Sequence, residues 1–204
     1  MYNNITISGL PGAGSTTLLL HLKTALKDMG WRGFSGGEFM RAYATEKGYF
    51  DPSSGGHHDA TVYSDEFDRE VDMDMRSKLT SEKKWILESW LSGFLAQQVP
   101  GVLKVLMICS NKAVRIDRIV NRDAIAPDIA LENMNSRYEK NLKKWQRVYA
   151  QEWQQWVVDT NRVKSTDPID FWRQDLYDVI IDTYSESQLE ATNIVLNAIK
   201  QTTY

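Results

Sequence analysis

The chain has 204 residues, of which 42% are hydrophobic and 25% are charged, and its formal net charge is −3. That length is enough to bury one core of good size, as expected of an ordinary globular protein. The slightly acidic balance argues against a protein whose main surface binds nucleic acid or an anionic membrane. The one cysteine, Cys109, excludes an intramolecular disulfide and a multi-cysteine metal site, and its apolar surroundings predict a buried, unreactive thiol.

The sequence shows no pattern typical of a targeting signal. The N-terminus carries no basic stretch ahead of an apolar one, and no apolar run approaches the length of a membrane span. We therefore expect a cytoplasmic protein that binds small molecules, not nucleic acid or membranes. The sequence does not determine whether it is a monomer or a homodimer.

A glycine-rich turn near the N-terminus follows the β-branched run Ile5–Ser8 and precedes an apolar helical pattern. Its spacing, Gly9-x-x-x-x-Gly14-Ser15-Thr16, fits a phosphate-binding loop (P-loop), except that Ser15 stands where a lysine is usual. Glycines let backbone N–H groups turn inward, and the positive end of the following helix points at the same place. The sequence therefore predicts a polyphosphate site. Its residues are Gly9, Pro11, Gly12, Ala13, Gly14, Ser15, Thr16 and Thr17.

Thr16 occupies the position whose hydroxyl binds Mg²⁺ in such loops, where the ion bridges the β- and γ-phosphates of a nucleotide. The missing lysine would normally supply a point charge to the same phosphates. Two alternatives to a catalytic loop stay open: a turn that merely joins a strand to a helix, and a loop that binds nucleotide without phosphoryl transfer.

Apolar, β-rich runs alternate with helical patterns along the whole chain. This alternation predicts an α/β fold of the P-loop NTPase type, with about five parallel strands covered by helices on both faces. Ligands of such sheets bind at the carboxyl ends of the strands. The predicted strands are Ile5–Ser8, Trp31–Phe34, Trp85–Leu87, Val102–Ile108 and Val179–Ile181.

Glu88 directly follows the third predicted strand and so lies at the carboxyl end of a central strand of the sheet. A carboxylate there suits the orientation of Mg²⁺ through a water molecule, and helix capping or a salt bridge is the alternative.

Arg115, Arg118 and Arg122 fall on one stripe of a helix that follows the fourth predicted strand, opposite Ala113, Ile116 and Val120. One interpretation is a salt-bridged surface. The other is that the arginines face the transferring γ-phosphate and supply the charge that Ser15 lacks.

A long helix is predicted from Asp128 past Tyr149, with an aromatic stripe that indicates core packing and a basic stripe that is ambiguous between an exposed face and a phosphate-facing lid. The basic stripe comprises Arg137, Lys140, Lys144 and Arg147. The charges of the helix from Ser64 to about Leu79 are interpreted mostly as a solvated face. His57 and His58 lie in a turn-rich segment without a third metal ligand at a supporting spacing, which favours exposed loop histidines.

Taken in chain order, the segments described above resemble those of the nucleoside monophosphate kinases, and among them the short archaeal-type cytidylate kinases. The resemblance covers nearly the full length of the chain. Members similarly begin with Ile-Thr-Ile-Ser-Gly and often carry Thr for the loop lysine, so Ser15 departs little from this family. The resemblance implies ATP and Mg²⁺ as cofactors, and phosphorylation of a nucleoside monophosphate, CMP or dCMP, to the diphosphate. The segments that carry it are Ile5–Gly9, Ser35–Arg41, Glu66–Asp72, Trp85–Glu88, Val114–Arg122 and Tyr177–Thr183.

Residue roles follow from the same resemblance. Arg41 would hold the acceptor's phosphate, and catalytic arginines, namely Arg115, Arg118, Arg122 and Arg137, would close over the transferring group. The acceptor-binding positions would be Ser35, Gly37, Arg41, Asp68, Arg69, Asp72 and Trp90. The resemblance implies a single kinase domain over residues 1–204, with an acceptor-binding region at about 35–80 and a lid at about 115–140.

The sequence departs from the family at two places that bear on acceptor choice. Met73-Asp74-Met75 stands where members tend to have basic residues and a glutamine, and Ser89-Trp90 replaces a Gly-Arg pair. Three alternatives therefore remain: a kinase of the same fold with another small acceptor, a nucleotide sensor without phosphoryl transfer, and a plain interaction module.

Overall fold

A parallel β-sheet forms the centre of the protein in the computed structural model, which describes residues 2–48 and 63–201. The strands in the described residues are β1 (Asn4–Gly9), β2 (Arg32–Ser35), β3 (Trp85–Glu88), β4 (Val102–Ile108) and β5 (Val179–Asp182). Their order across the sheet is β2-β3-β1-β4-β5, and every pair is parallel. The predicted fold class is confirmed, and β2 begins and ends one residue later than the sequence indicated.

Helices connect the strands, and several of them begin where the sequence offers a starting signal. The Asn111 side chain accepts a hydrogen bond from the Val114 N–H group, and Pro127 occupies a first-turn position where its missing N–H group costs nothing. The described helices are α1 (Ser15–Ala25), α2 (Gly36–Glu46), α3 (Asp65–Ser81), α4 (Ser92–Leu95), α5 (Lys112–Asp123), α6 (Pro127–Val148), α7 (Ala150–Trp153) and α8 (Gln188–Gln201).

The long helix predicted to run past Tyr149 is interrupted at that residue. Tyr149 has φ −111° and ψ 20°, outside the α-helical region, so α6 ends at Val148. The chain then continues as α7 and one π-helical turn, Gln154–Val158. Tyr149 and Trp153 are buried, as the aromatic stripe predicted.

The described residues form two compact units. The first unit comprises the described parts of 1–36, 71–110 and 170–204, and contains the whole sheet. Alternate residues of β1, such as Ile5 and Ile7, pack with α1 and α8. Ser8, the next residue after Ile7, points to the opposite face, toward α4, where its hydroxyl accepts a hydrogen bond of 2.8 Å from the Gly93 N–H group. The sheet is thus covered on both faces, as its continuous apolar strands predicted.

The second unit comprises the described parts of 37–70 and 111–169 and is helical. Helices α5 and α6 pack through Ile119, Ala130 and Met134, with smaller contributions from partly buried neighbours. Ion pairs join α6 to the first turns of α3: Lys144 Nζ lies 2.7 Å from an Asp68 oxygen, and Arg147 lies 2.6 Å from Asp65. Within 2–48 and 63–201, no helix combines the length and apolar character needed to cross a membrane.

Candidate functional site

The predicted P-loop lies between the end of β1 at Gly9 and the start of α1 at Ser15. Gly12 and Gly14 have φ values of 80° and 91°, which L-residues rarely adopt, so two loop glycines are required by the backbone itself. Gly14 is the N-cap of α1 and provides no side-chain hydrogen bond to the helix. The N–H groups of the first helical turn therefore have no side-chain cap at Gly14, in the arrangement that binds anions.

Side chains at the carboxyl edge of the sheet hold the loop from one side. The Thr183 hydroxyl, just after β5, lies 3.1 Å from the Ala13 carbonyl oxygen and 3.1 Å from that of Ile108. Gly9 allows β4 to lie close to the loop, since a Cβ atom at Gly9 would come within 3.0 Å of the Met107 carbonyl oxygen. The loop is thereby fixed against the ends of β4 and β5.

A buried carboxylate holds the loop from the other side. The Ser15 hydroxyl donates a hydrogen bond of 2.7 Å to Glu88 Oε1, and the Ser35 hydroxyl donates one of 2.6 Å to Glu88 Oε2. All three residues are buried. We call this arrangement of Ser15, Glu88 and Ser35 the serine–glutamate brace. It gives Ser15 a defined structural role at the position where a lysine is usual.

The geometry of this unit fits a nucleoside triphosphate with Mg²⁺. The loop offers backbone N–H groups and a helix N-terminus without a side-chain cap, and Thr16, the second residue of α1, is half-buried beside them. Both Glu88 oxygens already accept hydrogen bonds from serine hydroxyls, so a role for Glu88 toward the ion is better suited to contact through water. No group of three or more His, Cys, Asp or Glu side chains suited to a metal occurs in the part of the chain that the structure describes.

Three arginines of the second unit form an electrostatic cluster, which we call the arginine cluster: Arg41 from α2, Arg122 from α5 and Arg137 from α6. Burial, together with the positive charges of Arg122 and Arg41, lowers the pKa of Arg137 to about 10. Asp123 and Tyr63 oppose that effect. The structure thus brings together arginines that the sequence assigned to different tasks.

Tyr63 and Asp123 complete the surroundings of the arginine cluster. The Tyr63 hydroxyl donates a 2.7 Å hydrogen bond to the Met40 carbonyl oxygen, and burial, aided by the Asp68 charge, raises the pKa of Tyr63 to about 12. Arg122 binds Asp123 through two hydrogen bonds of 2.8 Å. A region where cationic side chains repel one another favours a multiply charged anion, since the anion relieves that repulsion.

Arg115 and Arg118 lie on α5 and are half-buried. The apolar side of α5 contains buried Ile119, with Ile116 and Val120 partly buried. Ala113 is exposed, so its predicted place on the apolar side is wrong. The assignment of Arg115 and Arg118 to phosphoryl transfer stays a prediction.

Two predicted acceptor residues, Asp68 and Arg69, take part in ion pairs within the second unit. Asp68 pairs with Lys144, and burial raises the pKa of its carboxyl group although Lys144 opposes the rise. Arg69 pairs with the buried carboxylate of Glu152, and its guanidinium lies 5.7 Å from the Tyr149 ring centre. The interpretation of this helix face as solvated is therefore wrong for Asp68, whose side chain is only 14% exposed.

The remaining predicted acceptor positions lie in different surroundings. Gly37 is in the first turn of α2, and Asp72 is a half-buried residue of α3. The Trp172 indole N–H group donates a 2.9 Å hydrogen bond to the Trp90 carbonyl oxygen, and the two rings meet edge to face at 6.1 Å. His57 and His58 lie outside the described residues.

Sequence reasoning did not find the brace partners of Glu88, the Thr183 anchor, or Tyr63 and Asp123 beside the arginines. Serine and threonine hydroxyls carry no distinctive spacing, and the partners of Ser15, Ser35 and Thr183 lie dozens of positions away along the chain. One signal was available: Thr183 immediately follows a predicted strand, the place where ligands and loop anchors of parallel sheets are expected.

Comparisons with known proteins agree with this geometry. A family model described as an AAA domain matches residues 5–143, more than half of the chain. A cytidylate kinase of Methanosarcina barkeri is 30% identical over 96% of this chain and 95% of its own length, and one of Methanosarcina acetivorans is 28% identical over the same shares. Among solved structures, shikimate kinase from Acinetobacter baumannii matches with a TM-score of 0.53 and 17% identity, covering 100% of this chain and 96% of its own.

The structural likeness shows a shared fold, and the sequence matches extend beyond the P-loop to nearly the whole chain. The phosphate loop, the parallel sheet and the matching relatives therefore all indicate the same family. The chain belongs to the AAA-domain family whose model it matches, and within it to the P-loop nucleoside monophosphate kinases of the cytidylate kinase-like type.

Proposed function

We propose that this protein transfers the γ-phosphoryl group of ATP to a nucleoside monophosphate, with CMP or dCMP as the acceptor. The observation that carries the proposal is the P-loop, where Gly12 and Gly14 at positive φ lead into an N-terminus of α1 without a side-chain cap. The charges of Arg41 and Arg122, which lower the pKa of Arg137, support it. In-line phosphoryl transfer requires positioning and neutralisation of negative charge more than a reacting side chain. The P-loop would position the donor, and the arginine cluster would neutralise negative charge.

Each group has a distinct role in this proposal. Backbone N–H groups of Gly12–Thr16 hold the β- and γ-phosphates, and Arg41 holds the phosphate of the acceptor. Thr16 would hold Mg²⁺ through its hydroxyl, and Glu88 would act on the ion through water. When bound, the ion would neutralise part of the charge of the donor phosphates. The catalytic arginines, Arg115, Arg118, Arg122 and Arg137, stabilise the charge on the phosphoryl group in transfer.

The acceptor is proposed on the strength of the relatives, whose names are those of cytidylate kinases. ATP as donor is supported by membership of the P-loop kinase family. A protein that acts on nucleotides with these groups needs no membrane or nucleic-acid partner, and we propose that it acts in the cytoplasm as a single kinase domain, with the acceptor-binding region and lid given above.

One observation favours a second candidate, a kinase of the same fold with a different small acceptor. Trp90 stands where an arginine is usual, and its contact with Trp172 creates an aromatic surface in place of a cation. Loss of a cation on the acceptor side would weaken binding of an anionic acceptor and favour one with an apolar surface.

The test is a coupled assay of ADP release from ATP and Mg²⁺, with CMP, dCMP, UMP, AMP and GMP as parallel acceptors and shikimate and gluconate as non-nucleotide ones. Strong stimulation by CMP or dCMP is the expected result. Stimulation by another acceptor would support the second candidate. ATP binding with no stimulation by any of them would contradict both and indicate a nucleotide sensor.

A further inference from the structure

The serine–glutamate brace connects residues that are far apart in sequence but adjacent at the carboxyl edge of the sheet. Ser35 is the last residue of β2 and lies opposite Glu88, the last residue of β3, in the parallel register. Ser15 is the first residue of α1. Hydrogen bonds to a charged acceptor are roughly twice as strong as neutral ones, so a buried carboxylate bonded at 2.6 and 2.7 Å is a strong anchor.

The loop depends on such anchors because of the residue between them. Gly14, with φ 91°, has the backbone freedom of glycine and no side chain to restrain it. On one flank the Ala13 carbonyl oxygen is fixed by the Thr183 hydroxyl, and on the other flank the Ser15 hydroxyl is fixed by Glu88. The direction in which the first N–H groups of α1 point is therefore set by these two contacts.

We infer that Glu88 and Ser35 are positioning residues for the donor's phosphates, acting through Ser15 on the first turn of α1. This assignment differs from the one that the resemblance implies for Ser35, which is contact with the acceptor. It also explains how the loop functions with serine in place of lysine: the side chain at position 15 adds no charge but fixes the backbone that binds phosphate. The inference rests on the proposed function only in taking a nucleoside triphosphate as donor.

The decisive variant is Ser35→Ala, because this residue lies outside the loop. Loss of its hydrogen bond to Glu88 should raise the dissociation constant of MgATP on the order of tenfold, the effect of losing one charged hydrogen bond. The KM of the acceptor should stay within about twofold of the value for the unchanged enzyme. Such a difference is within experimental scatter and well below the expected change in MgATP affinity. Ser35→Thr keeps the hydroxyl and should restore ATP binding. Calorimetric titration measures the donor's affinity, and the melting temperature checks folding.

A double-mutant cycle separates the brace from general loosening of the loop. Ser15→Ala and Ser35→Ala act through the same carboxylate, so the double variant should bind ATP little worse than the weaker of the two single variants. Thr183→Val removes the anchor on the opposite flank, and its effect should add to that of Ser35→Ala. Glu88→Gln is not needed for this cycle, so a failure of that variant to fold would not affect the result.

Three outcomes would overturn the inference: an ATP dissociation constant that Ser35→Ala leaves unchanged, a rise in the acceptor's KM instead, or an effect that adds fully to that of Ser15→Ala. Because ATP binding is measured without acceptor, a lack of activity with every acceptor would contradict the proposed function alone. A wild-type protein that does not bind ATP would contradict both.

Discussion

In the proposed function, the P-loop and the arginine cluster both bind phosphate, but by different physical means. The loop uses backbone N–H groups and a helix N-terminus, held by neutral hydroxyls and one buried carboxylate. The cluster would use the side-chain charges of Arg41, Arg122 and Arg137, and the first two lower the pKa of Arg137. Under this proposal, backbone recognition tolerates serine at position 15, whereas side-chain recognition depends on each cation separately. Substitutions in the two regions should therefore fail differently.

The largest effect should come from a charge in the second unit. Arg118→Ala should lower kcat by ~10³ or more, because an arginine that stabilises transition-state charge contributes ~10³–10⁵ in rate. The melting temperature should stay unchanged, since half-buried Arg118 lies on α5 away from buried Ile119. Lys143→Ala, an exposed cation on α6, is the matched control and should keep full activity. Near-normal turnover of a folded Arg118→Ala variant would contradict the assignment of Arg118 to phosphoryl transfer.

A smaller effect, of a different kind, should come from the backbone of the loop. Gly14→Ala and Gly48→Ala both place a side chain at positive φ, 91° and 71° respectively. Each should lose about 1–2 kcal/mol of unfolding free energy, the cost of a left-handed L-residue. Gly48→Ala meets no atom within 4 Å and should bind ATP normally, so only Gly14→Ala should weaken nucleotide binding. Equal ATP affinity of the two variants would contradict backbone recognition by the loop.

The smallest effect should be on the pH dependence of the unfolding free energy, through the buried carboxylate of Asp68 in the second unit. Burial raises the folded-state pKa of Asp68 above its ordinary 3.8. At pH values between the ordinary pKa and the raised one, the folded protein therefore binds more protons than the unfolded chain. The unfolding free energy should therefore decrease as pH rises through that window. Asp68→Asn should lose this decrease and change stability by no more than about 1 kcal/mol at pH 7, because Lys144 retains its hydrogen bond to the Tyr63 carbonyl oxygen.

Denaturant unfolding of Asp68→Asn between pH 4 and 7 measures this contribution. Asp74→Asn, at an exposed position on the same helix, is the control and should follow the unchanged protein across that range. An Asp68→Asn variant whose stability has the same pH dependence as the unchanged protein would show that the buried carboxylate carries no such cost.

Features that depend on local pattern were predictable from the sequence. The glycine spacing of the P-loop and the apolar runs of the strands gave the loop, the five parallel strands and the position of Glu88 at a strand tip. Local patterns also predicted α5 and the presence of α6, which begins at Pro127 and not at Asp128. These features follow from short-range sterics and hydrophobic periodicity, which neighbouring residues determine among themselves.

Features that depend on distant partners were not predictable. Helical periodicity placed Lys144 on the same basic stripe as Arg137, but Lys144 neutralises Asp68 whereas Arg137 lies among other arginines. Nothing in the spacing of that stripe distinguishes the two residues, because the difference comes from α2, α3 and α5 packing against them. The break of α6 at Tyr149 was missed for the same reason, since the helical pattern continues through it.

The position of β1 at the centre of the sheet has a consequence for synthesis of the chain. Its two neighbours are late in the sequence: Ile5 pairs with Ile86 and with Leu103, which are 81 and 98 positions downstream. At about 5–20 residues per second, the ribosome needs about 5–20 s to add roughly 100 residues, and during that time β1 has neither neighbour. The β-branched segment that later supports the phosphate loop is therefore an unpaired strand in the nascent chain, with the edges that favour aggregation or the binding of a chaperone during translation.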